Sequence, residues 1–570
     1  MTDSEKGISG GLTNYGDRDF ARYLRRSFAK SMGYTGASLD KPIVGICTTE
    51  SGFNNCHRHF PELTEAVKRG VLAAGALPVT FPVISLGEVF LSPTSLVYRN
   101  LMAMAVEEMI RAQPMDAVVL MGGCDKTVPA LIMGAASAGK PAALLVGGPM
   151  MTGRHKGERL GACTDCRRFW ASYRAGSVDG DEIAQIEGRL AVTSGTCAVM
   201  GTASTMALIG ETLGMCLPDT AAIPAVHADR LRAAEETGTL MAQMALSGGP
   251  APADLITPAA VENALRVLLA VSGSTNAVIH LAAIAGRMGI ELSLDRLNAL
   301  SDDTPVLVNL KPVGTGYMED FHSAGGLDAV LRGLEGKIDT STRDITGQTL
   351  AERLAKPRTD PVDPAFIRGP DAPVDPKGGL MALKGSLAPE GAILKRAAAT
   401  PALLEHEGRA VVFSSLEDLA NRIDDPDLDV TAEDVLVLQN AGPRSASGMP
   451  EAGYLPIPKK LARAGVKDMV RISDARMSGT AFGTIVLHVT PESDLGGPLA
   501  LMRDGDRIRL STAERRIDLL VSEDELDRRR ATLAPPRPSP DRGYARLYRE
   551  HVLSANQGCD FDFLTGEPPA

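Results

Sequence analysis

The sequence predicts an α/β protein in two parts: a parallel sheet covered by helices, then a mostly β, barrel-like unit. Three observations predict it. Over residues 41–350, short apolar stretches (KPIVGICTTE, ALPVTFPVI, DAVVLMGG, PAALLVGG and ELSLDRLNAL) alternate with helical patterns such as SLVYRNLMAMAVEEMIRAQ, as strands joined by crossover helices do. Residues 356–379 carry prolines at 357, 361, 364, 370, 373 and 376 and little apolar periodicity, which reads as a linker. Beyond it GRAVVFSS, DVLVLQNAGP, VKDMVRISD, GTIVLHVTPE and GDRIRLST follow closely on one another, with turn residues and few helices between them. An α/β domain is therefore expected over residues 1–370 and a β-barrel-like domain over 380–570. The segment RGYARLYREHVLSANQGCDFDFL has the aromatic and apolar residues to dock onto the body.

Composition narrows the function. At 570 residues and 44% hydrophobic content the chain must bury a large core. Its 58 glycines and 4% aromatics suit loops that approach a small ligand more than a stacking surface for nucleic acid, and a net charge of -11 would repel a phosphate backbone. The opening MTDSEKGISGG lacks the basic start and apolar run of a secretory signal, and the apolar runs fall short of the roughly 20 residues a membrane span needs. A cytoplasmic protein with neither nucleic-acid nor membrane partners is expected. In such a compartment cysteines serve metals or catalysis more often than disulfides.

Three of the eight cysteines sit in loops of small and polar residues: Cys56 in SGFNNCHR, Cys124 in MGGCDKTVPA and Cys197 in TSGTCAVMGTAST. Cys124 follows the strand DAVVLMGG and Cys197 follows RLAVTSG, which places both near carboxyl ends of strands, where open α/β sheets bind ligands. Three thiolates can hold an iron–sulfur cluster and leave one iron open to a substrate oxygen. Their spacing of about 70 residues matches no local cluster motif, and by spacing alone buried structural cysteines are the simpler reading.

Asp125 and Lys126 put two charges at a strand end, a place for a metal or an anion. Mg²⁺ takes oxygen ligands, which Asp125, Glu88 in SLGEVFLSPTS and Glu451 in SGMPEAGY can supply; solvated or ion-paired carboxylates fit the same residues. Lys126 cannot ligate as an ammonium, although a carbamate on it can. In RISDARMSGTAFG a Gly-bounded turn presents the hydroxyls of Ser478 and Thr480; Ser478 as a base would need a nearby cation, and an ordinary Ser-Gly turn has the same pattern. Cys163 and Cys166 form the one CxxC, with His155 the nearby third candidate for a zinc or redox site, and Cys47, Cys216 and Cys559 read as packing residues.

Together these segments resemble the dihydroxy-acid/6-phosphogluconate dehydratase family, from LTNYGDRDFARYLRRSF to GCDFDFL. The resemblance implies an iron–sulfur cluster on Cys56, Cys124 and Cys197. It also implies Mg²⁺ held by Glu88, Asp125, Glu451 and a carbamylated Lys126, with Ser478 as catalytic base and Thr480 beside it. The GSTNAVIHL and PVGTGYMEDFHSAGG segments, near Asn276 and His322, resemble further parts of the pocket wall. The contexts of Cys56 and Cys197 look closer to the sugar-acid branch, similar to arabinonate and xylonate dehydratases, whose members carry [2Fe-2S] where others carry [4Fe-4S]. The likeness thus implies a hydro-lyase that converts a 2,3-dihydroxy sugar acid to a 2-keto-3-deoxy acid, working between two domains as a homodimer or homotetramer. The alternatives are a branched-chain dihydroxy-acid or phosphogluconate substrate, or a non-catalytic iron–sulfur or thiol redox sensor using Cys163 and Cys166. In RSASGMPE, Ser447-Gly448 replaces the family's usual Pro-Gly, a departure that bears on the path to Glu451.

Overall fold

The computed structural model describes residues 6–12, 15–535 and 537–566. Most of MTDSEKGISGG's start and two residues of the LTNYGDRDF segment, Thr13 and Asn14, lie outside the described residues. The first sheet holds β1 (Ile43–Thr48), β2 (Leu77–Pro82), β3 (Ala117–Gly122) and β4 (Ala142–Val146), all parallel, in the order β2-β1-β3-β4. β3 and β4 are buried along their whole length, which is why they read as unbroken apolar runs. Helices cover both faces. Phe60–Ala73 crosses Ala228–Ser247 so closely that a Cβ on Gly70 would lie 1.9 Å from the Glu235 carbonyl oxygen. A small antiparallel hairpin, β5 (Gly153–His155) and β6 (Glu158–Leu160), comes next.

The second sheet has eight strands: β7 (Met381–Leu383), β8 (Gly391–Leu394), β9 (Glu405–Phe413), β10 (Val435–Leu438), β11 (Arg471–Ser473), β12 (Ile485–Thr490), β13 (Arg507–Ser511) and β14 (Arg516–Leu519). Their order is β14-β13-β9-β10-β11-β12-β8-β7. The two edges meet. Lys384, just past β7, donates its N–H to Arg515 and accepts one from Ile517, so the sheet nearly closes into the expected barrel. β9 to β12 run parallel within it, so β10 and β11 turn their carboxyl ends the same way.

Two local readings change. ELSLDRLNAL is the helix Leu294–Asp303: Ser293 caps it through the Asp295 and Arg296 N–H groups, and Leu294, Leu297 and Leu300 bury one face at helical spacing. RLAVTSG is no strand either, since the helix Gly180–Leu190 ends within it and a single Pro149–Thr196 bridge extends the line of β4. Residues 356–379 hold neither helix nor strand, but bridges from Val306 to Asp375 and from Val308 to Ile367 tie them to the first part.

The C-terminal segment is a strap. Arg99, fully buried, donates to the carbonyls of Gly558 and Cys559, and Arg287 pairs with Asp560 at 2.5 Å. Tyr548, Val552 and Phe561 pack on Leu96, Ile279 and Met449. Helices of the first part and a loop of the second are thereby bound by one stretch of chain.

Beyond β12, Glu492 is buried and accepts the Arg444 N–H at 2.9 Å, near Asp474, which is buried in turn against the Ser493 and Ala441 N–H groups. Burial, reinforced by Asp474, pushes the Glu492 carboxyl up to about 8. The folded chain thus keeps a proton that an unfolded glutamate releases near pH 4.5, and stability falls as pH rises between those values. Glu492→Gln is expected to flatten the decline in Tm between about pH 6 and 8, read by calorimetry; an unchanged slope would contradict the assignment.

Candidate active site

The first sheet sends its carboxyl ends to one place. After β1 the chain turns through Cys56; after β3 it passes Gly123, Cys124, Asp125 and Lys126 into the helix Thr127–Ala138. His57 ties these turns together. Its Nε2 accepts the Gly123 N–H at 3.0 Å, so the proton sits on Nδ1, which donates to the Thr49 carbonyl at 2.7 Å. Burial holds His57 neutral, lowered to about 4. Cys124 adopts φ 64°, a left-handed conformation uncommon outside glycine and concentrated at functional sites.

Four thiols gather there. Cys56 and Cys124 are buried and hydrogen-bonded to each other, and Cys197 lies with its Sγ 3.4 Å from that of Cys163. Cys197 also feels the charge of Cys56, Cys56 that of Cys163, and both that of Asp125. Contact with Cys124, then burial, holds the Cys56 thiol well above its ordinary range. Contact with Cys163, then burial, does the same for Cys197. All are free cysteines. A set of convergent, undisulfided thiols in a buried loop pocket matches the donor set of a thiophilic metal group.

Beside the thiols stand Glu88, Asp125 and Glu451, with one oxygen of each within 4.8 Å of the others. The fully buried Lys126 ammonium reaches Glu88 at 2.9 Å, Glu451 at 3.3 Å and Asp125 at 3.4 Å. Arg476, equally buried, bonds Glu451 at 2.8 Å, Glu88 at 3.1 Å, Thr94 Oγ1 at 2.6 Å and the Met449 carbonyl. Ser95 Oγ donates to Glu88 and Asn276 Nδ2 to Glu451. Burial alone would raise Glu88, but Arg476 and Lys126 outweigh it and hold that carboxyl well below its usual range. Asp125 has the weaker compensation. Burial, abetted by Glu451 and Glu88 and opposed by Lys126, brings it up to about 6. Three carboxylates face two cations, and the surplus negative charge suits a divalent, oxygen-seeking ion.

The third component comes from β11. Ser478 and Thr480 are buried, with their hydroxyl oxygens 2.8 Å apart. The helix Thr164–Ala175 holds this turn: Thr164 Oγ1 donates to the Thr480 carbonyl at 2.8 Å and Arg167 donates to Thr480 Oγ1 at 3.1 Å. Cys163 is the residue that precedes this helix, so its first turn runs from the thiols to Thr480.

Residues before and after the proline-rich segment therefore meet, and Cys56, Cys124, Cys197, Glu88, Asp125, Lys126, Glu451, Ser478 and Thr480 fall into one connected neighbourhood. His322 does not join it: it packs against His227, near Asp229, while the preceding Met318 N–H donates to Ala198 in the Cys197 loop. Asn276, by contrast, reaches Glu451 directly. His155 stands apart from the CxxC, its ring nitrogens bound to Glu182 and Arg189. Sequence reasoning passed over Arg476 although it lies inside RISDARMSG; a buried arginine two residues before the serine is its only signal. It also missed His57, Arg167 and the approach of Cys163 to Cys197, which depend on chain crossings that no spacing reveals.

Residues 41–353 match the family model for the dihydroxy-acid/6-phosphogluconate dehydratase N-terminal region and residues 365–559 that for its C-terminal region. The chain is similar to an L-arabonate dehydratase of Azospirillum brasilense, at 47% identity over 97% of this chain and 96% of that protein. It is 46% identical to a 6-deoxy-6-sulfo-D-gluconate dehydratase of Pseudomonas putida over 93% of each chain. A dihydroxy-acid dehydratase of Carboxydothermus hydrogenoformans is more distant, at 38% over 94% and 97%.

Arg476 joins carboxylates from both parts of the chain and is fully buried, so its removal strands Glu88 and Glu451. Arg476→Met is expected to cost about 3–5 kcal/mol in urea unfolding. A loss under about 1 kcal/mol would mean that Lys126 alone compensates the carboxylates.

Proposed function

Because the chain belongs to the dihydroxy-acid/6-phosphogluconate dehydratase family, we propose that it dehydrates a sugar acid, a 2,3-dihydroxy carboxylate, to the 2-keto-3-deoxy acid. The observation that carries this reading is the convergence of thiols, carboxylate trio and Ser478–Thr480 hydroxyl pair across the boundary between the two sheets. The sugar-acid relatives at 46–47% identity, against 38% for the dihydroxy-acid dehydratase, support the substrate class.

The residues fit two inorganic groups. Cys56, Cys124 and Cys197 would hold an iron–sulfur cluster, [2Fe-2S] by the likeness to the sugar-acid branch, and Glu88, Asp125 and Glu451 would hold Mg²⁺. As an amine Lys126 occupies the centre of the carboxylates; as a carbamate it would become a further oxygen ligand. When bound, these groups supply the Lewis acidity that neutralises the substrate carboxylate and eases the departure of the 3-hydroxyl.

The protein supplies the rest. Ser478 Oγ takes the C2 proton, Thr480 Oγ1 holds that oxygen at 2.8 Å, and the Arg167 guanidinium on Thr480 stabilises the negative charge that Ser478 bears in its basic form. Loss of the C2 proton and the C3 hydroxyl gives an enol and water. The enol gives up its 2-hydroxyl proton, takes one at C3 and so becomes the 2-keto acid. Buried Arg476 and Asn276 keep Glu451 oriented throughout, so the carboxylates need no rearrangement during turnover.

An anaerobic screen of pentonates, hexonates and dihydroxyisovalerate, with iron and sulfide measured on the same sample, tests this. The expected result is 2-keto-3-deoxy product from a sugar acid, with kcat/KM at least about 10²-fold below it for dihydroxyisovalerate, which leaves hydroxyl-binding groups unpaired. Turnover of dihydroxyisovalerate alone would move the chain to branched-chain acids, and no turnover from iron-loaded protein would favour a redox role. Ser478→Ala should lower kcat about 10²–10⁴-fold while the visible absorbance of the cluster persists.

A further inference from the structure

We propose that Cys163 is a fourth thiol ligand of the iron–sulfur site, engaged when no substrate is bound. The inference rests on the reading of Cys56, Cys124 and Cys197 as cluster ligands, and it concerns a residue outside those three cysteines to which the family likeness extends.

The geometry begins with the main chain. The Ala198 N–H donates to the Ala162 carbonyl at 3.0 Å, which fastens the residue before Cys163 to the residue after Cys197. The two thiols are thus held side by side, 3.4 Å between sulfurs. Metal–sulfur bonds of about 2.3 Å in a tetrahedron set two sulfurs about 3.8 Å apart. Cys163 therefore needs to move only a few tenths of an ångström to share an iron with Cys197.

The other partner offered by sequence, Cys166, also lies within side-chain hydrogen-bond reach of Cys163, but its own hydrogen is committed to the main chain. Its S–H donates to the carbonyl of Cys163 itself at 2.6 Å, within the first turn of the helix Thr164–Ala175. Cys163 therefore stands between two thiols: Cys166, which bonds to the backbone as well, on one side and Cys197 on the other. Exposure separates the four thiols further. Cys56 and Cys124 are buried, whereas Cys163 and Cys197 reach partly exposed surface. Three ligands leave one iron position unfilled, and Cys163 stands next to Cys197, half-buried as that residue is.

Such a ligand has two effects. The fourth sulfur retains iron between turnovers, and it must yield for a substrate hydroxyl to reach the metal. Its place at the first turn of the helix that also carries Thr164 and Arg167 couples that release to the Ser478 turn.

The test uses anaerobically reconstituted holoenzyme. Cys163→Ala and Cys163→Ser are compared with wild type and Cys166→Ser by visible absorption, iron and sulfide content, and the rate of iron loss to a ferrous chelator. Altered charge-transfer bands and iron loss about tenfold faster or more are expected for both Cys163 variants, with Cys166→Ser resembling wild type. Spectra and chelation rates identical to wild type would overturn the proposal. Should the variants fail to fold, iodoacetamide labelling of wild type decides: Cys163 is expected to be protected in the loaded protein and alkylated after iron removal, and equal labelling in both states would refute ligation. Wild-type protein that takes up no iron or sulfide would instead sink the cluster reading itself.

Discussion

Two buried cations facing three carboxylates set the terms for the whole molecule. Lys126 comes from the end of β3 and Arg476 from the loop after β11, and both are removed from water entirely. Each would be prohibitively costly alone. Glu88 and Glu451 make them tolerable, and because Arg476 bonds one carboxylate from each side of the proline-rich segment, the two sheets cannot separate without exposing or stranding charge. The buried charges at this boundary compensate one another except for one carboxylate, so the neighbourhood stays net negative, as does the chain as a whole with its formal charge of -11.

The same constraint orders the chemistry. β1, β3 and β11 all deliver loops at their carboxyl ends, so donors of different kinds arrive on rigid stems: sulfur from the first two, oxygen from the acidic cluster, hydroxyls from the third. His57 and the helix Thr164–Ala175 act as braces between stems, one joining β1 to β3, the other joining the thiols to Ser478. A substrate bound as proposed would meet groups whose positions are already determined.

Much of this was legible in the chain. β1 to β4 show as apolar runs because parallel strands buried on both faces have no polar alternation, and β9 to β13 show by close spacing. Small-residue loops singled out Cys56, Cys124 and Cys197, which the fold brings into one neighbourhood. ELSLDRLNAL misled because leucines at every third position also look like an apolar stretch, and the Ser293 cap that decides for helix is a single residue. The barrel edge joining Lys384 to residues 515–517, the Cys163–Cys197 contact and the double role of Arg476 all pair residues far apart in sequence, so no local pattern encodes them.

The strap formed by residues 558–560 has a bearing on biosynthesis. Arg99 and Arg287 are emitted from the ribosome hundreds of residues ahead of the carbonyls and the Asp560 carboxylate that satisfy them. During translation the amino-terminal half therefore holds Arg99 against Asn100 and His280, and Arg287 against Glu107 and Ser137, with the remaining partners of both guanidiniums still to come. Arrival of residues 558–560 completes both networks late, so a chain cut short before them would leave two buried guanidiniums only partly satisfied.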